Sequence, residues 1–417
     1  MGIYGAKLSK LPYGGKIERL YFCAAFRATL CLCPVLFRYV LNMAFNFFKR
    51  SQPKPQPAKE ATHSAPLYLE LTVKSIIHET RDTITIVFDK PTSGPLTYKP
   101  GQFLTLIAPI QGKEVRRAYS LCTTPSTDEF AAVTVKRVEN GLMSNWLADN
   151  VREGDKLKVL GAVGNFTLDY APANRRHIVM FAGGSGITPL FSLTKSVLTQ
   201  EPESIVSLIY CNRDIDSVIF KEELARWEAQ HEGRLHVIHI LDTAPMNWQG
   251  YSGLLNPAML KKLFERIPDW GVENTLYLMC GPEGMMKNVE SLLGAYSIPA
   301  EKIRKESFVQ GTIDKASKKE AEEEEIIERE VTIRFDGEEY KVMVPPHKGI
   351  LEAALDAGID LPYSCQSGLC TACRGKAISG KVRLDEEEGL SASERAEGYV
   401  LTCVGHPLTD DVVIEIG

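Results

Sequence analysis

Short segments in which apolar and polar residues alternate follow one another between Leu67 and Asn174. The segments are 69–74, 83–88, 102–107, 132–137 and 156–160. Turn-forming residues, such as Lys99-Pro100-Gly101, separate them. Short strands at regular spacing are typical of small antiparallel barrels. Residues 67–174 are therefore predicted to form an antiparallel β-barrel.

After Asn174 the pattern changes to continuous apolar runs that alternate with helical stretches. The apolar runs are 177–182, 205–210, 235–241 and 275–280, and a helical stretch covers 221–231. Apolar strands separated by helices are typical of a parallel sheet covered on both faces. Residues 175–312 are therefore predicted to be an α/β domain with a parallel sheet.

The remainder of the chain after this domain has two parts. Residues 313–330 are charged, include four consecutive glutamates, and are predicted to be a solvated helix or a tether. Residues 331–417 have strand-like runs at both ends and a loop with cysteines in the middle. A chain of 417 residues has the length of roughly two to three domains, which agrees with this division.

The first 66 residues are an extension outside these domains. Residues 20–48 are rich in apolar side chains, but charged residues and a proline interrupt them. The uninterrupted runs are shorter than the roughly 20 residues that span a bilayer, so no transmembrane segment is predicted. Two interpretations stay open: translation starts at Met43, so that residues 1–42 are not made, or the stretch is a weak membrane-surface anchor. Residues 51–66 read as a proline-rich linker.

Composition narrows the class of protein. The formal net charge is −5, from 53 acidic and 48 basic residues, and no basic tract indicates nucleic-acid binding. Ten cysteines in a chain of this length are too few for a disulfide scaffold. Thiolate metal ligands in a reducing compartment explain them better, so a cytoplasmic location is expected.

The cysteines near the C-terminus have a spacing with a known chemistry. Cys365, Cys370 and Cys373 form a C-x4-C-x2-C run, and Cys403 follows at a distance. Plant-type [2Fe–2S] ferredoxins hold their cluster with this arrangement, because two bridged irons need two thiolates each. Zinc is the alternative, but zinc sites combine a C-x2-C pair with a second pair or with histidines. The segment 331–417 resembles a plant-type ferredoxin, which implies a β-grasp fold.

Two motifs in the barrel region have side chains suited to a flavin. Arg117-Ala118-Tyr119-Ser120 lies at the end of a predicted strand. An aromatic ring can stack on the isoalloxazine, a hydroxyl can bond flavin N5, and a guanidinium pairs with phosphate oxygens. Gly141-Leu142-Met143-Ser144 precedes a helical run at 145–150, whose N-terminus can cradle phosphate. The alternative for Gly141 and Ser144 is an ordinary turn and N-cap.

In this order, the two motifs resemble the R-x-Y-S signature and the pyrophosphate helix of the ferredoxin–NADP reductase superfamily. The resemblance implies that both motifs bind a flavin. It also places Val135, Lys136 and Val138 beside the ribityl and adenosine part of that flavin. The helix motif favours FAD, whereas phthalate dioxygenase reductases, the alternative family, share the domain order but use FMN.

A glycine turn follows the first strand of the α/β region. The turn reads Gly183-Gly184-Ser185-Gly186-Ile187-Thr188-Pro189. It departs from the dehydrogenase fingerprint G-x-G-x-x-G because proline occupies the last position. Proline suits the first turn of a helix, and bare backbone at the glycines lets a pyrophosphate approach. A purely structural tight turn is the alternative.

The reductase superfamily has a glycine turn of this form and a second nicotinamide motif that resembles Cys280-Gly281-Pro282-Glu283-Gly284-Met285. The resemblance implies that the nicotinamide dinucleotide contacts Gly183, Gly184, Gly186, Thr188, Pro189, Cys280, Gly281, Pro282 and Met285. Cys280 is expected near the transferred hydride, unless it is only a small buried thiol. Arg213 could pair with the 2′-phosphate of NADPH, although Asp214 beside it weakens that preference over NADH.

The order of the three units resembles the reductase components of oxygenases, such as that of phenylacetyl-CoA oxygenase. Flavin can take electrons in pairs from NAD(P)H and release them singly, so it must lie between nicotinamide and the [2Fe–2S] cluster. Ser120, Thr188 and Cys280 are the expected catalytic contacts, and no general acid or base is expected. The predicted function is an NAD(P)H-dependent oxidoreductase that reduces a partner protein, an oxygenase component. The alternatives are a general ferredoxin–NADP reductase, a reductase that serves a desaturase, and a non-catalytic redox sensor.

Overall fold

The structure is a computed structural model that describes residues 68–91, 94, 96–308, 326–387 and 389–417. The predictions for residues 1–66, including a start at Met43 and a surface anchor, lie outside the described residues. Most of the predicted linker at 313–330 also lies outside them. Among the helices that the structure describes, none has the length and apolar character needed to cross a membrane.

The first domain, called the barrel domain, is a six-stranded antiparallel sheet that closes on itself. Its elements are β1 (Tyr68–Thr80), β2 (Thr83–Phe88), β3 (Phe103–Ile110), β4 (Lys113–Ser120), β5 (Ala132–Lys136), α1 (Leu142–Asn150) and β6 (Lys156–Val163). The strand order is β4-β3-β6-β1-β2-β5, and a bridge between Leu121 and Val133 joins the two edges. Apolar side chains such as Ile86 and Leu104 fill the interior.

The second domain, called the α/β domain, is a six-stranded parallel sheet flanked by helices. Its elements are β7 (His177–Gly183), α2 (Ile187–Gln200), β8 (Ile205–Asn212), α3 (Lys221–Gln230), β9 (Leu235–Leu241), β10 (Tyr251–Ser252), α4 (Pro257–Phe264), β11 (Thr275–Cys280), α5 (Glu283–Ala295) and β12 (Ile303–Glu306). The strand order is β10-β9-β8-β7-β11-β12. Strands β8 to β10 therefore lie on one side of β7, and β11 and β12 lie on the other side, so the strand order reverses between β7 and β11. Ligands of open α/β sheets bind at the carboxyl ends of the strands at such a point.

The third domain, called the C-terminal domain, has a five-stranded mixed sheet, two short helices and a separate two-stranded sheet among its described residues. Its elements are β13 (Arg329–Phe335), β14 (Glu338–Val344), α6 (Ile350–Asp356), β15 (Arg374–Ser379), β16 (Val382–Leu384), α7 (Ala392–Ala396), β17 (Tyr399–Leu401), β18 (Gly405–Pro407) and β19 (Val413–Ile416). The main sheet has the order β14-β13-β19-β15-β17. The segment 361–373, called the cysteine loop, connects α6 to β15 and contains three of the four predicted cluster ligands.

The predicted fold class is confirmed: a barrel, a parallel-sheet α/β domain and a small mixed-sheet domain follow one another along the chain. One detail differs from the expectation. The first strand of the C-terminal domain begins at Arg329, inside the segment expected to be a charged linker. The Arg329 side chain is largely buried because it bonds Asp410 and the carbonyl oxygen of Pro407, which explains why it joins the sheet.

Candidate functional site

A cleft of about 700 Å³ lies where the three domains meet. Part of its wall comes from β4, part from the end of β12 and the residues after it, and part from the cysteine loop. Its lining includes Arg117, Ser120, Glu306, Phe308, Cys365 and Cys370. The cleft therefore joins the predicted flavin strand to predicted ligands of the iron–sulfur cluster.

A hydrogen-bonded pair lies in this cleft. The Ser120 hydroxyl donates to the Glu306 carboxylate, with 3.2 Å between Oγ and Oε2. Protein surrounds the Glu306 carboxyl on most sides, and solvent reaches the residue because the cleft is open. Burial raises the pKa of Glu306 to about 8, although the hydrogen bond from Ser120 acts in the opposite direction. Glu306 can therefore hold a proton at neutral pH.

Cys280 lies next to Glu306 because β11 and β12 pair in parallel with these two residues in register. The thiol is completely buried, and burial, with a smaller contribution from Glu306, raises its pKa well above the ordinary value. A neutral, completely buried thiol of this kind is a poor nucleophile, and its proximity to the transferred hydride stays a prediction. Two of the predicted catalytic contacts, Ser120 and Cys280, thus adjoin the same carboxyl.

The two predicted nicotinamide motifs pack against each other through their backbones. A Cβ atom on Gly186 would lie 2.0 Å from the carbonyl oxygen of Cys280, and one on Gly183 would lie 2.5 Å from Cδ of Pro282. This packing alone requires glycine at both positions. Gly184 differs, since it has a positive φ of 52° and no protein atom closer than the Lys136 ammonium, 3.6 Å from a built Cβ. Gly184 is therefore the glycine with space for a phosphate.

Thr188 and Pro189 lie in the first turn of α2, the helix that follows this glycine turn and begins at Ile187. Its hydroxyl donates to the carbonyl oxygen of Ser185 at 3.0 Å, and the residue is buried. Pro189 lies in the first turn of α2, as expected for a residue without an N–H group. The Thr188 side chain thus has a structural hydrogen bond in the described chain, and its contact with flavin and nicotinamide stays a prediction.

The N-terminus of α1 contains the predicted phosphate motif. Ser144 Oγ accepts a hydrogen bond from the backbone N–H of Val138 at 3.1 Å, so this hydroxyl is already engaged in a turn. A Cβ on Gly141 would lie 2.8 Å from the same oxygen. The ordinary-turn interpretation therefore accounts for these two positions. The first turn of α1 contains no acidic residue, which leaves its N–H groups compatible with a phosphate.

A second, smaller cleft of about 380 Å³ adjoins this helix. Arg117 lines both clefts, and Leu142 lines the smaller one together with Gln366 of the cysteine loop. Arg117 thus lies between the main cleft and the beginning of α1, and its Nη1 donates to the carbonyl oxygen of Arg116 at 2.7 Å. Tyr119 is mostly buried against the barrel core, and burial raises its pKa.

The residues predicted beside the ribityl and adenosine part of the flavin are dispersed. Val135 is fully buried in the barrel core, and Val138 is exposed. Lys136 lies by Gly184, where burial lowers its pKa and Asp82 opposes that effect. Arg213 Nη2 donates to Asp82 Oδ2 at 3.0 Å. Lys136 is therefore placed closer to the glycine turn than to the main cleft.

The four predicted cluster ligands come together as one group of thiols. Cys365 interacts with Cys370 and Cys403, and Cys403 also interacts with Cys373. The backbone N–H of Ser367 points at Cys365 Sγ, 3.4 Å away. No group of three or more histidine, cysteine or carboxylate side chains in the described residues is arranged to hold a single metal ion. Four adjacent thiols suit a [2Fe–2S] cluster, which needs two thiolates for each iron.

Other atoms of the cysteine loop also fit a buried inorganic group. The hydroxyls of Ser364, Ser367 and Thr371 are buried and have no hydrogen-bond partner in the protein. Buried hydroxyls normally find an acceptor, and cluster sulfurs would supply one. Gly368 has a positive φ of 75°, and a Cβ there would lie 2.7 Å from Cβ of Glu386, so the loop closes only with glycine. The donor set and its surroundings therefore fit a [2Fe–2S] cluster.

Glu306 is a candidate functional residue that no sequence motif identified. Its position depends on the pairing of β12 with β11 and on a contact with Ser120, 186 residues away in sequence. A signal was present, since Glu306 ends β12, the last strand of the α/β domain, and Ser307 and Phe308 follow it. Nothing in the local sequence indicates that this carboxyl turns toward the barrel.

Comparison with known families agrees with the three domains. Residues 70–168 match an oxidoreductase FAD-binding domain, residues 180–291 an oxidoreductase NAD-binding domain, and residues 333–408 a 2Fe-2S iron-sulfur cluster binding domain. These matches confirm the predicted cofactors, namely FAD, a [2Fe–2S] cluster and a nicotinamide dinucleotide. The chain is therefore an oxidoreductase.

Individual relatives align along most of the chain. The ferredoxin reductase component of 3-ketosteroid-9-alpha-monooxygenase from Rhodococcus rhodochrous is 36% identical, over 83% of this chain and 96% of the relative. One of the subunits of 1,2-phenylacetyl-CoA epoxidase from Escherichia coli (strain K12) is 34% identical, over 83% of this chain and 96% of the relative. The solved structure of phthalate dioxygenase reductase has the same fold, with a TM-score of 0.51 and 23% identity over 84% of this chain and 98% of that one. The chain thus belongs to the ferredoxin–NADP reductase superfamily of iron–sulfur flavoproteins, in the group with a C-terminal [2Fe–2S] domain that includes monooxygenase reductase components.

Proposed function

We propose that this protein is the reductase component of an oxygenase system, and that it takes electrons from a nicotinamide nucleotide and delivers them through FAD and a [2Fe–2S] cluster to a separate oxygenase. One observation carries the proposal. A single cleft is lined both by Arg117 and Ser120 of the predicted flavin strand and by the cluster ligands Cys365 and Cys370. The two cofactor sites are therefore contiguous within one chain.

The bound cofactors supply the redox chemistry, since FAD exchanges electrons in pairs with nicotinamide and singly with iron–sulfur clusters. The protein positions them. Arg117 provides a cation at the side of the smaller cleft, and the backbone at Gly184 leaves room for a dinucleotide phosphate. Ser120 and Glu306 form the hydrogen-bonded pair in the main cleft. Glu306 can hold a proton at its carboxyl oxygen at neutral pH, because burial raises its pKa.

The oxygenase partner is proposed from the names of the relatives. One relative is a component of a steroid monooxygenase and another belongs to a phenylacetyl-CoA epoxidase. Their substrates are chemically unrelated, which is expected when the reductase never touches the substrate. The substrate of the partner oxygenase is therefore set by the oxygenase. A cytoplasmic location goes with this role, and the seven described cysteines are all free thiols.

The nicotinamide donor is proposed to be NADH. The Arg213 guanidinium, which could pair with the 2′-phosphate of NADPH, is bonded to Asp82. Asp214, the next residue, caps a turn through Ser217 and pairs with Arg81 at 3.5 Å. A 2′-phosphate would have to compete with Asp82 for the Arg213 guanidinium, so this ion pair favours NADH.

Anaerobic titration of the reconstituted protein with NADH, and separately with NADPH, tests the proposed function. We expect the visible spectrum to show both flavin and cluster bands and NADH to bleach them at lower concentration. Steady reduction of cytochrome c by NADH would then exclude a non-catalytic redox sensor. A protein that binds neither chromophore after reconstitution would contradict the proposal.

A further inference from the structure

Arg116, the residue before the predicted flavin ligand Arg117, is a buried cation at the boundary between the barrel domain and the C-terminal domain. Its side chain is 3% exposed. Removing a guanidinium from water is costly unless its donors find acceptors. The acceptors of the Arg116 side chain therefore indicate which parts of the protein it connects.

The barrel domain supplies acceptors for some of the hydrogen-bond donors of this guanidinium. Arg116 Nε donates to Glu114 Oε1 at 2.7 Å, and Arg116 Nη1 donates to the Tyr68 hydroxyl at 2.9 Å. Burial raises the pKa of Tyr68, so the phenol stays protonated and can pass its own hydrogen bond to Asp360 Oδ2 at 3.3 Å.

The C-terminal domain supplies a further acceptor and an aromatic contact for the same guanidinium. Arg116 Nη2 donates to Asp360 Oδ1 at 2.8 Å, and the guanidinium carbon lies 4.3 Å from the centre of the Tyr363 ring. Arginine suits such a place because its planar group bonds carboxylates and stacks on aromatic rings at the same time. Asp360 and Tyr363 precede the predicted cluster ligand Cys365 by five and two residues. The contact is therefore made at the entry to the cysteine loop.

Other contacts hold the opposite side of the cysteine loop. Asn165 of the barrel domain donates to Glu394 Oε2 at 2.6 Å, and Glu394 also bonds Arg374, the residue after the ligand Cys373. Between these polar contacts, Phe103 of the barrel domain shares a small apolar cluster with Ala372 of the cysteine loop. Interfaces between domains of this polar kind are usually separable, so individual contacts can decide how long the domains stay together.

We propose that Arg116 is a positioning residue for electron transfer, which clamps the C-terminal domain against the barrel domain through Asp360 and Tyr363 and thereby fixes the cluster beside the flavin cleft. The inference rests on the proposed electron path. Electron transfer slows steeply as the separation of two centres grows, so loss of the clamp should slow the passage from flavin to cluster. The earlier step, electron entry from nicotinamide, takes place away from Arg116 and should keep its rate.

The structure supplies a matched pair of variants. Asp360 and Glu114 both contact Arg116 Nη2, at 2.8 and 2.6 Å, and both are about half exposed. Asp360→Asn weakens the contact between the domains, whereas Glu114→Gln weakens a contact within the barrel domain. Loss of a buried hydrogen bond to a charged group changes an equilibrium constant by about tenfold. Loss of a solvent-exposed one changes it less. We therefore expect Asp360→Asn to slow flavin-to-cluster transfer by about three- to tenfold.

Anaerobic stopped-flow mixing of the holoprotein with NADH resolves the two steps, because flavin and cluster absorb at different wavelengths. We expect Asp360→Asn and Arg116→Gln to slow cluster reduction with flavin reduction unchanged. Glu114→Gln should leave both rates as in wild type, and Arg116→Lys, which keeps the charge without the planar fork, should restore part of the loss. Amide hydrogen exchange at Leu361, Tyr363 and Ser364 provides a readout that does not depend on turnover, and it should speed up in Asp360→Asn but not in Glu114→Gln.

Three results would overturn the inference. Cluster reduction in Asp360→Asn and Arg116→Gln could keep the wild-type rate, Glu114→Gln could cause the same loss as Asp360→Asn, or hydrogen exchange at Leu361, Tyr363 and Ser364 could be identical in all variants. Failure of the proposed function itself is distinguishable, since the wild-type protein would then show no cluster reduction by NADH at all.

Discussion

Glu306 gives the cleft a titratable group in the neutral range, and the pH dependence of flavin reduction should report on it. Burial raises its pKa to about 8, against the effect of the Ser120 hydrogen bond. With that pKa, roughly nine-tenths of the molecules hold the proton at pH 7 and roughly one-tenth at pH 9. A carboxylate that ionises in a poorly solvated cleft opposes the arrival of further negative charge. The protonated form should therefore be the competent one.

We expect the rate of flavin reduction by the nicotinamide nucleotide to fall by about tenfold between pH 7 and pH 9, in proportion to the protonated fraction. Glu306→Gln keeps the side chain neutral, so its rate should be flat over this range. Ser120→Ala removes the hydrogen bond that lowers the pKa, so the fall should move to higher pH. Anaerobic stopped-flow absorbance at the flavin band, from about pH 6 to about pH 10, measures all three profiles.

Glu301→Gln is the matched control, because Glu301 is an exposed glutamate in the turn before β12. The pH profile of flavin reduction in Glu301→Gln should match that of the wild type. The reasoning is refuted if Glu306→Gln keeps the wild-type profile, since the titrating group would then lie elsewhere. A shift toward lower pH in Ser120→Ala would equally contradict the assigned hydrogen bond.

Three further predictions concern the other parts of the chain. Cys403→Ser should abolish the cluster absorbance and leave a yellow flavoprotein that nicotinamide still reduces, and a full cluster spectrum in this variant would contradict the ligand assignment. Asp82→Ala releases Arg213, so the kcat/KM ratio of NADPH to NADH should rise, and an unchanged ratio would show that the pair does not set the donor. Burial lowers the pKa of His177 to about 4, so the unfolded chain binds a proton that the native state excludes, and stability should be lost as pH falls from about 6.5 to about 4. Urea unfolding should show that loss as up to about 3 kcal/mol, and His177→Gln should lack it.

The elements that local pattern determines were predictable from the sequence. The apolar runs at 205–210 and 275–280 correspond to β8 and β11, whose residues are nearly all buried, because a strand covered on both faces needs mostly apolar residues. The cysteine spacing predicted four thiols that the structure brings together. Spacing is informative there because three of the ligands lie in a single short loop.

Residues whose role depends on distant partners were not predictable in the same way. Arg116 looks like an ordinary polar position in a barrel strand, yet Asp360, 244 residues away, completes its hydrogen bonds. Lys136 is predicted to lie beside the flavin, and that contact stays a prediction, but its position next to Gly184 of the α/β domain could not be inferred from the sequence. In both cases the deciding contact crosses a domain boundary, and no local periodicity reports on how two domains meet.

The β3–β4 hairpin shows a signal that the strand pattern alone did not use. Ile110 pairs with Lys113 across a two-residue turn. Gln111 and Gly112 both have positive φ, 52° and 74°. Two-residue hairpins of this type require positive φ at both central positions, which glycine favours. Attention to this turn would have predicted that β4 folds back on β3 and presents Arg117 and Ser120 at its end.

Electron paramagnetic resonance of the anaerobic protein after addition of NADH tests the central claim most directly, because only a reduced [2Fe–2S] cluster gives its characteristic signal. We predict that the signal develops in the wild-type protein as the flavin band bleaches and that it is absent from Cys403→Ser, in which the flavin still bleaches. A wild-type protein in which NADH bleaches the flavin but never produces the cluster signal would contradict the account.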